Sequence, residues 1–448
     1  MKSFLTFLKS GYYLGLIFLL TFTIWTFYED TPPYAFNLYN MMGILFLILL
    51  GTLWFILFED TTVTLPTTLA ILFFINKSNM DFETVASFGF PYIGVGLFFL
   101  GPIVHLIRFK PRFRLNTFFW GFLLIGVSYL IPLLYLPFEI SAIPVSMMGI
   151  LYLLLYLFYA NTLKGDLRYL FRILLGINLL LTFQVFFYLY QGYLQTPDLA
   201  LIYRLFSGWN RNLGWANIND MCFYLALTFP SYLYFIFKHP KNPIFWFMMW
   251  LPMMAVILSK SRGGLLGFSF CLLFCLIFLL IKGNKTLIKN AMFFVVVSGM
   301  IIYFNQDVFI VWWEFFTDSL GDDLNQFSSG RIEIYQIGFD VFKTYPLFGG
   351  GWTSLINLRP DSRLFMYHST LVQSLAAMGL FGLFALLVHY GQVFRFLLRY
   401  RTLEKSLFLI GYLASQIHGL IDNVQYAVPY SILMVLFLAL FEKAELKT

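Results

Sequence analysis

The sequence predicts an all-α fold, a polytopic transmembrane helical bundle of about 14 spans that forms a single integral membrane domain over residues 1–448. Of the 448 residues, 60% are hydrophobic and only 11% are charged, a balance that excludes a soluble protein of this length. Apolar runs of about 20 residues, enough to cross a bilayer, recur along the whole chain. The net charge of +7 comes from short basic clusters between these runs, which indicates membrane topology signals and not nucleic-acid binding.

Fourteen apolar segments have the length and composition expected of membrane spans. They lie near 11–28, 37–58, 62–76, 86–107, 116–135, 143–161, 169–191, 217–237, 243–259, 264–281, 287–304, 368–394, 406–421 and 426–441. The third segment is short and rich in threonine, so a re-entrant segment is an alternative there and the expected count is 12–14. The first is too long for a signal peptide and has no cleavage site, so we expect it to be retained as a span.

Basic residues divide unevenly between the two sides of this predicted bundle. With the N-terminus inside, 20 of the 29 lysines and arginines fall on the cytoplasmic side, which predicts a cytoplasmic-membrane protein with both termini in the cytoplasm. The nine on the outer side are Lys77, Arg204, Arg211, Lys260, Arg262, Arg331, Lys343, Arg359 and Arg363. Cations are disfavoured on that side, and eight of the nine follow residue 200, so function is the expected reason for them.

The distribution of outer loops divides the chain into three parts. Residues 1–200 are expected to form N-terminal spans, and residues 395–448 to form C-terminal spans. Residues 201–394 are the expected functional core, which includes the large outer loop 305–367. This loop is the one large region that contact with lipid does not explain.

Two polar stretches precede predicted spans in this core. In Gly214-Trp215-Ala216-Asn217-Ile218-Asn219-Asp220, the side chains of Asn217 and Asn219 would either cap a helix or contact a substrate. Lys260-Ser261-Arg262-Gly263-Gly264 forms a tight outer turn that leaves Arg262 at the membrane edge. Arg262 could reach lipid phosphate, but charges in such positions more often mark a functional site.

The outer loop contains a helix signal, a glycine run and a histidine. Ser328-Ser329-Gly330-Arg331 predicts the start of a short amphipathic helix. Its apolar face is expected to be Ile332, Tyr335, Phe339 and Phe342. Pro346 ends the helix, and the glycines around Gly350 then form either a helix-ending turn or a place where the backbone approaches a sugar or phosphate. His368 follows at the mouth of the next span; a lone histidine is more often structural than catalytic.

Taken in order, these stretches resemble the O-antigen ligase and Wzy-type polymerase family of membrane glycosyltransferases. The resemblance runs from about Gly214 to Gly382. It is carried by Asn217-Ile218-Asn219-Asp220, Ser261-Arg262-Gly263-Gly264, Ser329-Gly330-Arg331, Pro346-Leu347-Phe348-Gly349-Gly350-Gly351, His368-Ser369 and Met378-Gly379-Leu380-Phe381-Gly382. Two positions depart from the family pattern, since Ile218 replaces a proline and Ser369 replaces an asparagine. Residues 1–200 resemble the family only in topology.

The resemblance implies a donor oligosaccharide linked to a polyprenyl pyrophosphate, a glycan hydroxyl as acceptor, and neither a metal nor any other cofactor. Arg262 and Arg331 match the family's two arginines, whose planar forks would bind the leaving phosphate. His368 matches the family's histidine and would remove the acceptor's proton. Secondary phosphate contacts are expected from Arg211 and Arg359. Further substrate contacts are expected from Asn217, Asn219 and Gly350.

Three alternatives to a polymerase are considered. A ligase stays open, whereas sequence features argue against a transporter and against a purely structural protein. A ligase that moves a finished glycan to another acceptor shares all these motifs, and the spans beyond the usual twelve of ligases favour the polymerase. A flippase or transporter would show internal repeats with broken helices, and the sequence has no such repeat. A purely structural membrane protein would not explain the outer arginines. The expected partners are the lipid bilayer, the lipid-linked donor, the glycan acceptor, a flippase and a chain-length regulator.

Overall fold

A computed structural model describes residues 2–26, 38–75, 90–137, 139–195, 218–259, 261–304, 330–359 and 366–445, together with a few isolated positions between these ranges. Every regular element in these ranges is helical, which confirms the predicted all-α class. The helices are α1 Lys2–Leu8, α2 Gly11–Thr26, α3 Leu38–Leu57, α4 Leu65–Ile75, α5 Phe90–Phe109, α6 Phe119–Leu130, α7 Ala142–Thr162, α8 Leu167–Gln195, α9 Ile218–Thr228, α10 Pro230–Lys238, α11 Ile244–Met248, α12 Trp250–Ser259, α13 Arg262–Lys282, α14 Lys285–Phe304, α15 Arg331–Thr344, α16 Ser354–Leu358, α17 Thr370–Leu398, α18 Leu403–His418 and α19 Val428–Glu445.

The chain is a multi-pass membrane protein. Among the described residues, six helical segments are long and apolar enough to cross a membrane, and several shorter apolar helices accompany them. The six are Ala142–Thr162, Leu167–Phe187, Ile218–Lys238, Arg262–Lys282, Lys285–Phe304 and Thr370–Leu398. Each of the fourteen predicted segments overlaps a helix, but several of these helices are short, so the count of fourteen spans stays a prediction.

The threonine-rich third segment forms a buried half-length helix. It begins with a short 3-10 turn at Thr61–Thr64 and continues as α4, which is about 16 Å long. The Thr61 hydroxyl lies 2.8 Å from that of Thr162, and buried Asp60 accepts the backbone N–H of Thr62 at 3.0 Å. The other four threonine hydroxyls of the segment also have partners within the protein, as a segment with so many hydroxyls requires in a membrane.

Hydroxyl side chains cap the helices that position the functional residues. Ser261, Ser369 and Thr402 accept the backbone N–H of the residue three positions on, at 2.9, 3.5 and 3.2 Å, at the starts of α13, α17 and α18. α17 and α18 pack against each other, as do α13 and α18 and α15 and α17. The starts of α13, α15 and α17 therefore meet the end of α18 at one end of the bundle, which we call the site end.

Small residues allow α13 and α18 to approach closely at the site end. A Cβ on Gly267 of α13 would lie 3.1 Å from the carbonyl oxygen of Ala414, and one on Gly263 would lie 3.0 Å from the His418 imidazole. Glycine at such positions lets two helices pack with their backbones near each other. This packing brings the first turn of α13, with its arginine, next to the segment that follows α18.

The opposite end of the bundle carries basic residues in ion pairs. Lys238 lies 3.4 Å from Glu404, and buried Lys405 lies 2.7 Å from Glu445. The Lys405 ammonium group also donates to the carbonyl oxygens of Phe396 and Arg399 at 3.1 and 3.0 Å. We call this the basic end; the charge distribution predicts that it faces the cytoplasm.

The packed face of α15, the helix predicted in loop 305–367, differs from the one expected from the sequence. The predicted start is confirmed, with the Ser328 hydroxyl accepting the backbone N–H of Ile332 at 3.3 Å. The buried residues of the helix are Ile334, Gly338 and Val341, however, and Phe339 of the predicted apolar face is 43% exposed. The hydrophobic pattern identified an amphipathic helix but not the face that contacts protein, because apolar side chains in this class of protein also face lipid.

Candidate active site

A histidine, an aspartate and an arginine from three different segments meet at the site end. The Nδ1 of His368 lies 3.4 Å from one carboxylate oxygen of Asp422, and Nη2 of Arg331 lies 3.4 Å from the other. Arg331 also donates to the carbonyl oxygen of Ile421. The Asp422 side chain is 7% exposed, whereas the His368 and Arg331 side chains are 29% and 20% exposed. A buried carboxylate therefore holds two partly accessible functional groups together.

The segment before α17 holds His368 in an unusual backbone conformation. Its φ of +48° lies in the left-handed region, which residues with side chains seldom adopt. The neighbours on both sides are fixed, because the backbone N–H of Tyr367 donates to Gln373 at 2.9 Å and Ser369 caps α17. The carbonyl oxygen of His368 accepts the Tyr335 hydroxyl of α15 at 2.8 Å. Strain of this kind persists where the surrounding structure imposes it, often at functional sites.

Asp422 sits in the short turn between α18 and α19. Its carboxylate accepts the backbone N–H of Asn423 at 2.8 Å, and its own carbonyl oxygen accepts the N–H of Thr370 at 3.2 Å. Burial raises the pKa of the Asp422 carboxyl, but the hydrogen bond from His368 and the charge of Arg331 outweigh burial, and the pKa lies below its ordinary value. Asp422 is therefore an anion at neutral pH, as its two partners require.

Arg262 joins this group from the first turn of α13. Ser261 precedes it and donates its hydroxyl hydrogen to the side-chain oxygen of Asn219 at 2.5 Å, which links the start of α13 to the start of α9. A Cβ on Gly263, the next residue, would lie 3.0 Å from the Ile421 side chain, and Arg331 donates to the Ile421 carbonyl oxygen, so the two arginines lie in the same part of the bundle. Two neighbouring guanidinium groups favour binding of an anion with more than one charge, and a pyrophosphate is such an anion.

Of the expected secondary contacts, Asn219 lies beside the site and two residues lie outside the described ranges. Those two are Arg211 and Asn217, so their expected roles stay predictions. Asn219 reaches the group through Ser261, as described above. Its side-chain oxygen thus holds Ser261, the residue that caps α13, and a contact between Asn219 and the substrate stays a prediction.

Gly350 lies away from His368, against a break in α17. Its N–H donates to the carbonyl oxygen of Ala376 at 2.7 Å, and a Cβ there would lie 2.5 Å from Val341 near the end of α15. Val341 is ten residues beyond Arg331, about 15 Å along the helix axis. The helix-ending turn is thus the interpretation that this geometry favours, since the Gly350 N–H already has a protein partner.

The break in α17 explains why glycines are needed in this turn. Gly379 has φ +64° and ψ −159° inside α17, and the N–H groups of Leu380 and Phe381 donate to the carbonyls of Pro346 and Leu347 at 2.9 and 3.0 Å. A Cβ on Gly349, whose φ is +79°, would lie 2.3 Å from the α17 backbone. The two backbones are in direct contact here, and no side chain fits between them.

Arg359 is held on the surface of the loop region near α15. Its guanidinium group pairs with Glu333, which is two residues beyond Arg331, and the two side chains are 35% and 49% exposed. Arg359 is thus near the site but shares its charge with a carboxylate. A phosphate contact would have to compete with this ion pair, which is a weak one in exposed surroundings.

Asp422 is the residue that the sequence analysis missed. It falls in the short connection between the last two predicted spans, 406–421 and 426–441, to which the motifs assign no role. One signal could have identified it, since Asp422 is the single carboxylate between Glu404 and Glu442 and follows an apolar run directly. A charged residue in that setting marks a functional site more often than a structural one.

The donor atoms available here suit anion binding and proton transfer. No group of three or more His, Cys, Asp or Glu residues with the arrangement of a metal site occurs among the residues that the structure describes. The two arginines offer planar donors to phosphate, and His368 offers an imidazole whose Nδ1 faces a carboxylate. With Nδ1 carrying the hydrogen, the lone pair of Nε2 is the one that accepts a proton.

Comparison with known protein families identifies the same region of the chain as the candidate site does. Residues 247–387 match the family model described as O-antigen ligase, and no curated protein matches the chain. The matched range contains Arg262, Arg331 and His368, whereas Asn219 and Asp422 lie on either side of it. This match confirms the family resemblance carried by the sequence motifs. Residues 247–387 of the chain are therefore similar to the O-antigen ligase family.

Proposed function

We propose that this protein is a membrane glycosyltransferase of the polysaccharide-polymerase type. It would join oligosaccharide repeat units linked to a polyprenyl pyrophosphate at the outer face of the cytoplasmic membrane. The observation that supports the proposal most is the His368–Asp422–Arg331 group at the end of the bundle opposite the basic clusters, with Arg262 in the adjoining first turn of α13. The O-antigen ligase domain supports the same general chemistry.

In the proposed reaction His368 acts on the acceptor hydroxyl, and the two arginines act on the leaving pyrophosphate. The acceptor hydroxyl attacks the anomeric carbon of the donor sugar, and its proton moves to Nε2 of His368. A bond forms between the acceptor oxygen and the anomeric carbon as the bond from that carbon to the pyrophosphate oxygen breaks. The leaving pyrophosphate keeps the electron pair, and Arg262 and Arg331 stabilise its added negative charge.

Asp422 would orient the imidazole and stabilise its protonated form. A carboxylate beside Nδ1 fixes the tautomer that leaves Nε2 as base, and it favours the positive charge that appears after proton transfer. Charge compensation by arginine would take the place of a divalent cation, so the proposal includes independence from added metal.

The proposed orientation follows from the charges at the two ends. Lys238, Arg399 and Lys405 lie at the basic end, and basic residues accumulate on the cytoplasmic side of membrane proteins. The site end would then face the cell exterior, where the lipid-linked donor arrives after a flippase has moved it. We keep residues 201–394 as the proposed core, to which Asp422 adds a contribution from the C-terminal spans.

The polymerase and ligase alternatives differ in acceptor and not in site chemistry. A polymerase joins one lipid-linked repeat unit to another, whereas a ligase transfers the finished glycan to a different acceptor. The predicted count of fourteen spans, which exceeds the usual twelve of ligases, favours the polymerase. A chain-length regulator would be an additional partner of a polymerase.

Reconstitution would test the proposal and separate its alternatives. Purified protein in liposomes would receive a polyprenyl-pyrophosphate-linked oligosaccharide as the one glycan, and products would be separated on a gel. A ladder of longer lipid-linked chains is the expected result. Transfer that occurs after addition of a different glycan acceptor, but not before, would identify a ligase. Movement of the donor between leaflets without any new glycosidic bond would identify a flippase and contradict the proposal.

A further inference from the structure

The carbonyl oxygen of His368 is held by a residue of the outer-loop helix. The Tyr335 hydroxyl donates to this oxygen at 2.8 Å. Burial raises the pKa of Tyr335, so its hydroxyl stays protonated and remains a donor over the whole physiological range. The bond is made to the residue whose backbone is in the left-handed region, with φ +48°. The hydroxyl therefore restrains a backbone conformation that is unfavourable without contacts from the surrounding structure.

Tyr335 and Arg331 are four residues apart and so lie on one face of α15. From this face Arg331 contacts the carbonyl oxygen of Ile421 and the carboxylate of Asp422, and Tyr335 contacts His368. The two segments that carry the base and its carboxylate are thus both bound by one helix face. A shift of α15 would change both sets of contacts together.

A small separate core fixes α15 on α17. Ile334 and Val341 of α15 pack with Tyr367, Val372, Leu355 and Ala376, apart from the main core of the bundle. A Cβ on Gly338 would lie 2.5 Å from Val372 and 2.9 Å from Tyr367, so the helix approaches as closely as its backbone permits. Such packing leaves little freedom in the position of the Tyr335 ring.

We infer that Tyr335 is a positioning residue, which holds His368 in the conformation that turns Nδ1 toward Asp422. Through α15 it couples this histidine to Arg331, the proposed ligand of the donor pyrophosphate. Binding of the donor at Arg331 and correct placement of the base thus depend on one docked helix. The inference deepens the proposed function and rests on it, because it assigns His368 as the base and Arg331 to the donor.

Replacement of the hydroxyl alone separates positioning from donor binding. Tyr335→Phe keeps the ring and its packing but removes the hydrogen bond to His368. We expect kcat to fall about tenfold, the factor that corresponds to the loss of one such bond. The KM for the lipid-linked donor should stay near the wild-type value, because Arg331 is unchanged. Tyr345→Phe is the matched control, since Tyr345 is 41% exposed at the other end of α15, and it should behave as wild type.

Amide hydrogen exchange gives a second measurement that does not depend on activity. In Tyr335→Phe the amides of residues 366–369 should exchange faster than in wild type, while those of α17 beyond Gly379 should not change. Equal exchange and equal kcat in the two proteins would overturn the inference. A rise in donor KM with kcat unchanged would also overturn it, because the hydroxyl would then belong to donor binding. If wild-type protein transfers no sugar, the proposed function fails and the exchange rates alone decide whether Tyr335 positions His368.

Discussion

The Nδ1 of His368 lies 3.4 Å from a carboxylate oxygen of Asp422, although 54 positions separate the two residues in the chain. The two meet because the N–H of Thr370, two residues after His368, donates to the carbonyls of Gly419 and Asp422 at 2.9 and 3.2 Å. The start of α17 is therefore bound directly to the turn after α18. A histidine paired with a buried carboxylate is a common arrangement for a general base.

Loss of the Asp422 charge should impair transfer more than donor binding. Asp422→Asn keeps the shape of the side chain but allows the wrong imidazole tautomer and removes the charge that stabilises imidazolium. We expect kcat to fall at least tenfold, with a small change in donor KM. Asp340→Asn is a matched control, because Asp340 forms an exposed pair with Lys343 and should contribute little. An Asp422→Asn protein with wild-type kcat would contradict the role of this carboxylate.

The lowered pKa of Asp422 predicts a specific dependence of stability on pH. A carboxylate whose pKa is lower in the folded protein contributes stability that is fully present above its unfolded value, near 3.8. That contribution is lost as the pH falls through the lower folded value. The melting temperature in detergent should therefore exceed that of Asp422→Asn at pH 5, and the difference should shrink at pH 3. A difference that grows at pH 3 would contradict the direction of the shift.

The two arginines should not tolerate lysine. Lysine keeps the positive charge but loses the planar fork, and at position 331 it would also lose a fixed contact with Ile421. We expect Arg262→Lys and Arg331→Lys each to lower kcat/KM for the donor by about tenfold to a hundredfold. Arg399→Lys, at the basic end, should keep wild-type kcat/KM in the same assay. Full activity of both site variants would contradict the proposal that the arginine side chains bind the phosphate through their planar forks.

The proposed orientation can be measured in intact cells with an impermeant thiol reagent. A cysteine at Asp322, in the outer loop, should react, and one at Thr402, before α18, should not. The three native cysteines are buried, so they should give little background. Labelling at position 402 but not at position 322 would show that the bundle has the opposite orientation, with the site on the cytoplasmic side.

Much of the candidate site could be predicted because its residues lie in short motifs that follow one another in the same order as in the family that the sequence resembles. Arg331 and His368 are such residues, and the structure brings them within reach of one carboxylate. Asp422 was missed because it is distant in sequence and its role depends on how α17 and α18 pack. The packed face of α15 was also missed, since Ile334 and Phe339 are equally apolar and only the fold decides which contacts protein.

Helix positions followed from hydropathy, whereas breaks within helices did not. All fourteen apolar segments overlap helices, because the membrane requires every backbone group in them to be bonded within the segment. The break at Gly379 could not be foreseen, because it depends on the carbonyls of Pro346 and Leu347, more than 30 residues earlier in the chain. Contacts of this kind depend on the tertiary structure, and the one sign of them in the sequence is a glycine.

The central claim, that His368 is the base of a metal-independent transfer, is tested most directly with purified His368→Ala protein and a lipid-linked oligosaccharide. Donor binding should be retained, while kcat falls by about a hundredfold or more. Wild-type protein should keep its activity in EDTA, whereas a complete loss would indicate a metal site, for which Asp318, Asp322 and Asp323 are the candidates in the sequence. Chain growth by His368→Ala at the wild-type rate would contradict the account.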